Sequence, residues 1–231
     1  MDKEAVLFEA IASSLDDART IEASGGQRIE LVSALSQGGF TPSLGLVKAV
    51  LEEVSLPLAV MLRPNKTDFY YSPGHLEEMR RDALLFWKAG VRHIVLGLLD
   101  QGGIADIKSL EQVLQGTDFQ VTFHRAIDET SDIARSLEQI NACPRISHIL
   151  TSLGQGQVID NLDRLAWYKR HTRPKLILAS GVTHKNAGIL AEAARLHQCD
   201  IHVGTALRGG KAMNPVDPDL TWTMAQILGR S

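Results

Sequence analysis

The chain has 231 residues, 44% of them apolar and 22% charged, and 24 Lys and Arg against 27 Asp and Glu leave a formal net charge of −3. This composition excludes general disorder, collagen-like repeats and a coiled coil, and with no basic excess to neutralise a phosphate backbone, nucleic acid is not an expected partner. No run of eighteen or more apolar residues is present, which excludes a membrane partner through a spanning helix, and the start Met1-Asp2-Lys3-Glu4 lacks the basic, apolar and small-residue order of a signal peptide, so the expected compartment is the cytoplasm.

The first apolar run starts near Val6 and meets Glu9. Ser14 then caps a helix from Leu15, with Asp16 and Asp17 favourable in its first turn. The second run starts near Arg28 and carries Glu30; Val47, Val50, Leu51 and Val54 follow at helical spacing. The third, from Leu58, ends in Arg63-Pro64, with a loop through Asp68. Leu76, Met79, Ala83 and Phe86 form the next stripe, stopped by Gly90. The fourth run starts near His93 and passes Gly97 to Asp100. The fifth, from Gln120, ends in His124-Arg125, with Asp128 just beyond. The sixth, from His148, ends in Thr151-Ser152, and Arg173-Pro174 closes the helix after it. The seventh, near Leu176 with Lys175 at its start, ends in Ala179-Ser180-Gly181, before a stripe of Ala187, Leu190, Ala191 and Ala194. The eighth, from Asp200, carries His202 and Gly204.

Eight runs therefore recur about every 28 residues, close to the ~30 that a strand, loop and helix require. Runs such as Leu58-Ala59-Val60-Met61-Leu62 show little polar alternation, the mark of strands covered on both faces. The prediction is an α/β fold, a single (β/α)8 TIM barrel forming one domain over residues 1–231. The rival, an open doubly wound sheet, would carry a Gly-rich phosphate loop after its first strand; this sequence has Glu9-Ala10-Ile11-Ala12-Ser13-Ser14 there.

In such a barrel function sits at the strand ends. Two readings of the charges gathered there stay open. In one, Arg63 and Arg125 grip a small anionic ligand while Glu9, Glu30, His124 or Asp128 moves a proton. In the other, Glu9 and Glu30 pair with Arg63 and Arg125 as an ion-pair layer plugging the mouth. Asp68, Thr151, Ser152, Gly181, His202 and Gly204 complete the candidate ligand-binding set. Gly181 and Gly204 close the seventh and eighth strands, where barrels bind phosphate through backbone N–H groups. Among the histidines His124 ranks first and His202 second, and His184 is placed to line the mouth. His75, His93, His148, His171 and His197 read as structural or solvent-exposed. No lysine ends a strand, which disfavours a Schiff-base aldolase, and no HxH pair points to a metallohydrolase. Cys143 and Cys199 belong to no CxxC or Cys-His cluster and read as buried hydrophobes before the sixth and eighth strands, too far apart for a disulfide.

Four segments in order resemble one known family: Glu30-Leu31-Val32-Ser33-Ala34-Leu35-Ser36-Gln37-Gly38-Gly39-Phe40-Thr41-Pro42-Ser43, then Arg63-Pro64 with Asp68-Phe69-Tyr70-Tyr71-Ser72, then Thr122-Phe123-His124-Arg125-Ala126-Ile127-Asp128, then Leu150-Thr151-Ser152. The resemblance is to the copper homeostasis protein CutC family. It implies a TIM barrel, a cytoplasmic location, a homodimer or higher homo-oligomer, and a role in copper handling with copper as the implied metal. Family copper binding is attributed to cysteines near the ends of the first two strands. Here those places read Glu9-Ala10-Ile11-Ala12 and Glu30-Leu31-Val32, without the soft thiolates that select Cu(I), so no metal ligand is assigned. The turn Asn65-Lys66-Thr67 stands where the family often has glycines. The expectation is a CutC-like copper homeostasis protein with a charged site at the barrel mouth. The alternative is an enzyme or a ligand-sensing barrel acting on a small anionic or phosphorylated metabolite.

Overall fold

Eight strands, β1 (Phe8–Ala12), β2 (Arg28–Leu31), β3 (Leu58–Met61), β4 (His93–Leu96), β5 (Gln120–Phe123), β6 (Ile146–Thr151), β7 (Lys175–Leu178) and β8 (Asp200–Val203), pair in chain order, all parallel, and β8 closes on β1. Each is followed by a helix: α1 (Leu15–Ala23), α2 (Leu44–Glu53), α3 (Pro73–Ala89), α4 (Ile107–Val113), α5 (Ile133–Ala142), α6 (Leu165–His171), α7 (Ala187–His197) and α8 (Pro218–Gly229). The chain is the predicted (β/α)8 barrel. This computed structural model describes residues 6–64 and 68–229; the 1–4 start and the 65–67 turn noted above lie outside the described residues.

Local sequence sets the helix limits. The Ser14 side chain accepts the Asp17 N–H at 3.1 Å and starts α1. Ser72 caps α3, with Pro73 in its first turn, and Gly90 ends α3 at φ +105°, a conformation that a Cβ disfavours. The stripes face the sheet: Val47 and Val50 of α2, Met79, Ala83 and Phe86 of α3, and Ala187, Leu190, Ala191 and Ala194 of α7 are buried. They share one cluster with the outward side chains of the strands, among them Ile29, Val60, Ile94 and Leu176. Fully burying side chains of this size stabilises by about 1.5–3 kcal/mol each.

Two strand starts are displaced from the expected positions: β1 begins at Phe8 instead of near Val6, and β6 at Ile146 instead of near His148, while β7 begins at Lys175 as expected. A register shift between Val121 and Thr122 lengthens β6 by pairing Ile146 with Val121. The β1 shift has the larger consequence. Glu9 is the second residue of β1, opposite Arg28 and His202, and not a residue beyond the strand end.

The pleat alternates side chains between the helices and the barrel axis. Two small apolar clusters occupy axial positions, Val32, Ala59, Met61 and Val95 in one and Leu150, Ile177 and Ala179 in the other. Most of the remaining axial positions are polar, Ile11 being an exception, and they define the site.

Candidate functional site

A charged layer fills the N-terminal half of the barrel. Arg28 donates through Nε to Glu9, and its Nη1 lies 3.6 Å from Asp200 and 3.4 Å from His148 Nε2. Lys175 Nζ completes the pairing at 2.7 Å from Asp200. His93 Nε2 sits 2.8 Å from Thr122 Oγ1, and its ring lies 5.4 Å from that of His148. Glu9, Arg28 and Asp200 are at most 5% exposed, so each charge depends on its partners. Burial works against the Glu9 carboxylate, but Arg28 and His202 outweigh it and hold the group well below the usual range. Burial pushes His93 down to about 3 and His148 to about 4, leaving both neutral.

This corrects the proposed ion-pair layer. The layer exists, but Arg28, not Arg63 or Arg125, neutralises Glu9, and it lies inside the barrel below the mouth. Arg28 and His93 open β2 and β4, and His148 is the third residue of β6; the two histidines, expected to be structural or solvent-exposed, face the barrel axis.

Above this layer His202 bridges the two glutamates. Its Nδ1 lies 2.7 Å from Glu9 Oε1 and its Nε2 3.4 Å from Glu30 Oε2. Burial disfavours the imidazolium, but the two carboxylates prevail and raise its pKa. Burial also raises Glu30, to about 7, against the pull of His202. Oε1 of Glu30 is buried and has no hydrogen-bond partner among the described residues.

Glu30 and His202 form the floor of a cavity of about 350 Å³ at the C-terminal ends of the strands. Arg63, Phe69, His124, Arg125, Glu129, Gly181, Val182, Gly204 and Thr205 are among its walls. Three cationic groups (Arg63, Arg125 and His202) thus face two carboxylates (Glu30 and Glu129). The Arg63 guanidinium lies 5.1 Å from the Phe69 ring centre and 5.8 Å from that of Phe40, and donates to the Gly38 carbonyl. Arg125 is anchored through Nε to Asp128 (3.0 Å) and Nη2 to Ser152 (3.2 Å), while Nη1 has no partner among the described residues.

His124 is set with equal care. The Ala126 N–H donates to Nδ1 at 3.2 Å, so the ring proton sits on Nε2. That nitrogen is buried and unpartnered. Burial, reinforced by the Arg63 charge, pushes His124 to about 3 and keeps it neutral. Gly97 makes the space: a Cβ there would come within 2.5 Å of Nδ1. The β7 loop is strained, with Ser180 at φ +77° followed by Gly181 at +71°. A non-glycine residue in this region costs about 1–3 kcal/mol. The Ser180 carbonyl accepts from Val158 and that of Gly181 from Asn186. The Gly181 and Val182 N–H groups have no acceptor among the described residues.

The predicted set therefore divides. Glu30, Arg63, His124, Arg125, Gly181, His202 and Gly204 line one cavity. Glu9 supports it from below through His202. Asp128 does not line it: its buried carboxylate accepts from Thr151 (2.5 Å), the Ser152 hydroxyl and N–H, Gly154 and Arg125. Thr151 and Ser152 point their hydroxyls at Asp128 and so tie the β6 loop to Arg125. Asp68 is exposed and accepts the Tyr70 N–H. His184 bonds the Leu220 carbonyl on α8 instead of lining the mouth. The sequence reading missed Phe69, Val182 and Glu129. Phe69 lies in the second family-like segment, and Val182 directly follows Ser180-Gly181.

The fold and the polar cavity at its strand ends place the chain among (β/α)8 barrels with an ionisable mouth. The chain belongs to the CutC family, whose model matches residues 6–205. A CutC family protein of Xanthomonas axonopodis is 33% identical over 196 residues, 83% of this chain and 80% of that one. The crystal structure of a Streptococcus agalactiae chain assigned as the copper homeostasis protein CutC is similar at a TM-score of 0.77 and 27% identity, over 87% of this chain and 98% of that one. The tryptophan synthase alpha chain of Legionella pneumophila shares the fold alone, at a TM-score of 0.68 and 16% identity over 97% of this chain and 92% of that one. Among the described residues no helix is long and apolar enough to cross a membrane.

Proposed function

We propose that this CutC-family chain binds a small anionic metabolite, carrying a phosphate or carboxylate, at the barrel mouth. The observation that carries this reading is the set of donors around one cavity: the Arg63 and Arg125 guanidiniums, and the Gly181 and Val182 N–H groups with no acceptor. Cationic side chains and unengaged backbone donors at a barrel's β7 and β8 loops favour an anion. Titration calorimetry with inorganic phosphate tests it. Arg63→Ala is expected to weaken binding about tenfold, the scale of one charge-assisted hydrogen bond. Lys48→Ala, on the exposed face of α2, should leave it unchanged. Equal effects would remove the specific site.

Copper handling, named for the S. agalactiae relative, is part of the proposal as a cellular role in which copper is cargo or signal. The residues do not fit a direct Cu(I) site. Both ring nitrogens of His202 face carboxylates, which leaves no lone pair for a metal. No cluster of three or more His, Cys, Asp or Glu side chains is placed to hold a metal among the described residues. Cys143 and Cys199 are free and buried. The Cys143 thiol contacts Glu111 and the Cys199 thiol the His197 carbonyl. Burial raises both thiols, Cys199 to about 11, which disfavours the thiolate that Cu(I) requires. The double variant Cys143→Ser, Cys199→Ser is therefore expected to compete with a Cu(I) chelator no less well than the parent. Loss of a tight one-to-one site would restore a direct copper role.

One domain over residues 1–231, action in the cytoplasm and assembly into a homodimer or higher homo-oligomer belong to the same proposal. Family membership supports them. Exposed Ile189 and Leu196 on α7 and Trp222 on the neighbouring α8 add apolar surface for self-association.

A further inference from the structure

Two of the groups that line the mouth have no task in holding an anion. Glu30 presents a buried oxygen without a partner, and His124 presents a buried Nε2–H without a partner. Leaving a buried polar group unpaired is costly, and here two such groups line one cavity, one an acceptor and one a donor. We propose that the mouth is a proton-transfer centre for a small phosphorylated hydroxycarbonyl compound, in which Glu30 removes and returns a carbon-bound proton and the Nε2–H of His124 holds the carbonyl oxygen. The inference rests on the anion-binding reading, which supplies the anchor for the phosphate.

The roles follow from the chemistry of each group. A base that takes a proton from carbon needs a bare lone pair in a site of low dielectric, and Glu30 Oε1 offers one. Burial brings Glu30 to about 7, so that near neutral pH it can both accept and return the proton. The carbonyl oxygen gains negative charge as the proton leaves and needs a donor already in place. His124 is that donor, with its tautomer fixed by Ala126 and its ring positioned by the absence of a side chain at Gly97. Because His124 stays neutral it donates a hydrogen bond without giving up a proton irreversibly, and a carboxylate base opposite a neutral imidazole suits enolisation. His202 and Glu9 position Glu30 from below.

The step balances within the substrate. The C–H bond next to the carbonyl breaks and its proton passes to Glu30 Oε1. Its electron pair becomes the C=C bond of an enediolate, and the carbonyl pair moves to the oxygen facing His124, which carries the negative charge. Glu30 returns the proton to the former carbonyl carbon, and the neighbouring hydroxyl gives its hydrogen to the former carbonyl oxygen. One carbon is oxidised and its neighbour reduced to the same extent, so no external oxidant is needed.

Proton NMR of dihydroxyacetone phosphate in D₂O with the full chain near neutral pD tests the proposal, alongside calorimetry with inorganic phosphate. The parent protein is expected to exchange deuterium into the carbon-bound position next to the carbonyl. Glu30→Gln should lower that exchange by roughly 100-fold and keep phosphate binding within about threefold. His124→Gln, a second variant whose folding is checked by circular dichroism, should also slow exchange with phosphate binding retained. Lys48→Ala should match the parent. Phosphate binding without exchange by the parent overturns the proton-transfer role and leaves the anion site standing. Absence of phosphate binding overturns the anion site itself. Exchange that survives in Glu30→Gln also overturns the proposal.

Discussion

Replacing Arg28 with methionine is expected to destabilise the barrel by about 3–5 kcal/mol, because it takes a cationic partner from each of two buried carboxylates, Glu9 and Asp200. Arg28 is the cation between Glu9 and Asp200, and it also reaches His148. Without it Lys175 still covers Asp200 at 2.7 Å, but Glu9 keeps only His202. For a chain of this length the melting temperature should fall by about 10 °C. Combining Arg28→Met with Glu9→Leu should recover part of the loss, since the lone carboxylate goes with its partner. A melting curve within a degree or so of the parent would show that the layer does not hold the barrel together.

Stability is also expected to fall steeply as the pH drops below 6.5. His93 and His124 are depressed to about 3 and His148 to about 4, against 6.5 in the unfolded chain. A depressed histidine contributes stability fully above its unfolded pKa and loses it as pH falls toward its folded pKa, because the unfolded chain binds the extra proton. Glu30 acts oppositely. Raised to about 7 from 4.5, it holds a proton in the folded state through that window, and its contribution is complete below 4.5 and lost as pH rises through 7. His202, also raised, contributes fully below 6.5 and leaves the acid limb unchanged. Three histidines against one glutamate leave a net slope of about 2 kcal/mol per pH unit near pH 5.5. Urea titrations at pH 7 and pH 5.5 check it, and equal stabilities at the two values would contradict the neutral assignment of the three rings.

The barrel was legible in the sequence because each strand is buried on both faces and so interrupts the helical stripes as an apolar block, such as Leu58–Met61. Ser14, Ser72 and Gly90 mark their helix ends through backbone chemistry that needs no tertiary context. The mouth was legible in part. His124, Arg125, Arg63 and Gly181 follow strands directly, and strand ends share one rim in this fold. The axial charge layer was not legible, because a polar residue that opens a strand, such as Arg28 or His93, points to the axis or to solvent depending on a register that only strand pairing sets. Loop residues failed for a related reason. Asp68 and Asp128 lie near strand ends, but their directions are set by turns that aim one at Tyr70 and the other at the β6 loop.

The central claim, an anion held at the mouth, is tested most directly by amide NMR of the ¹⁵N-labelled protein titrated with inorganic phosphate. The Gly181 and Val182 resonances are expected to shift in a saturable way, with the Arg63 and Arg125 side-chain signals following the same curve. Saturation that leaves these four unmoved, or shifts confined to the outer helices, would contradict the account.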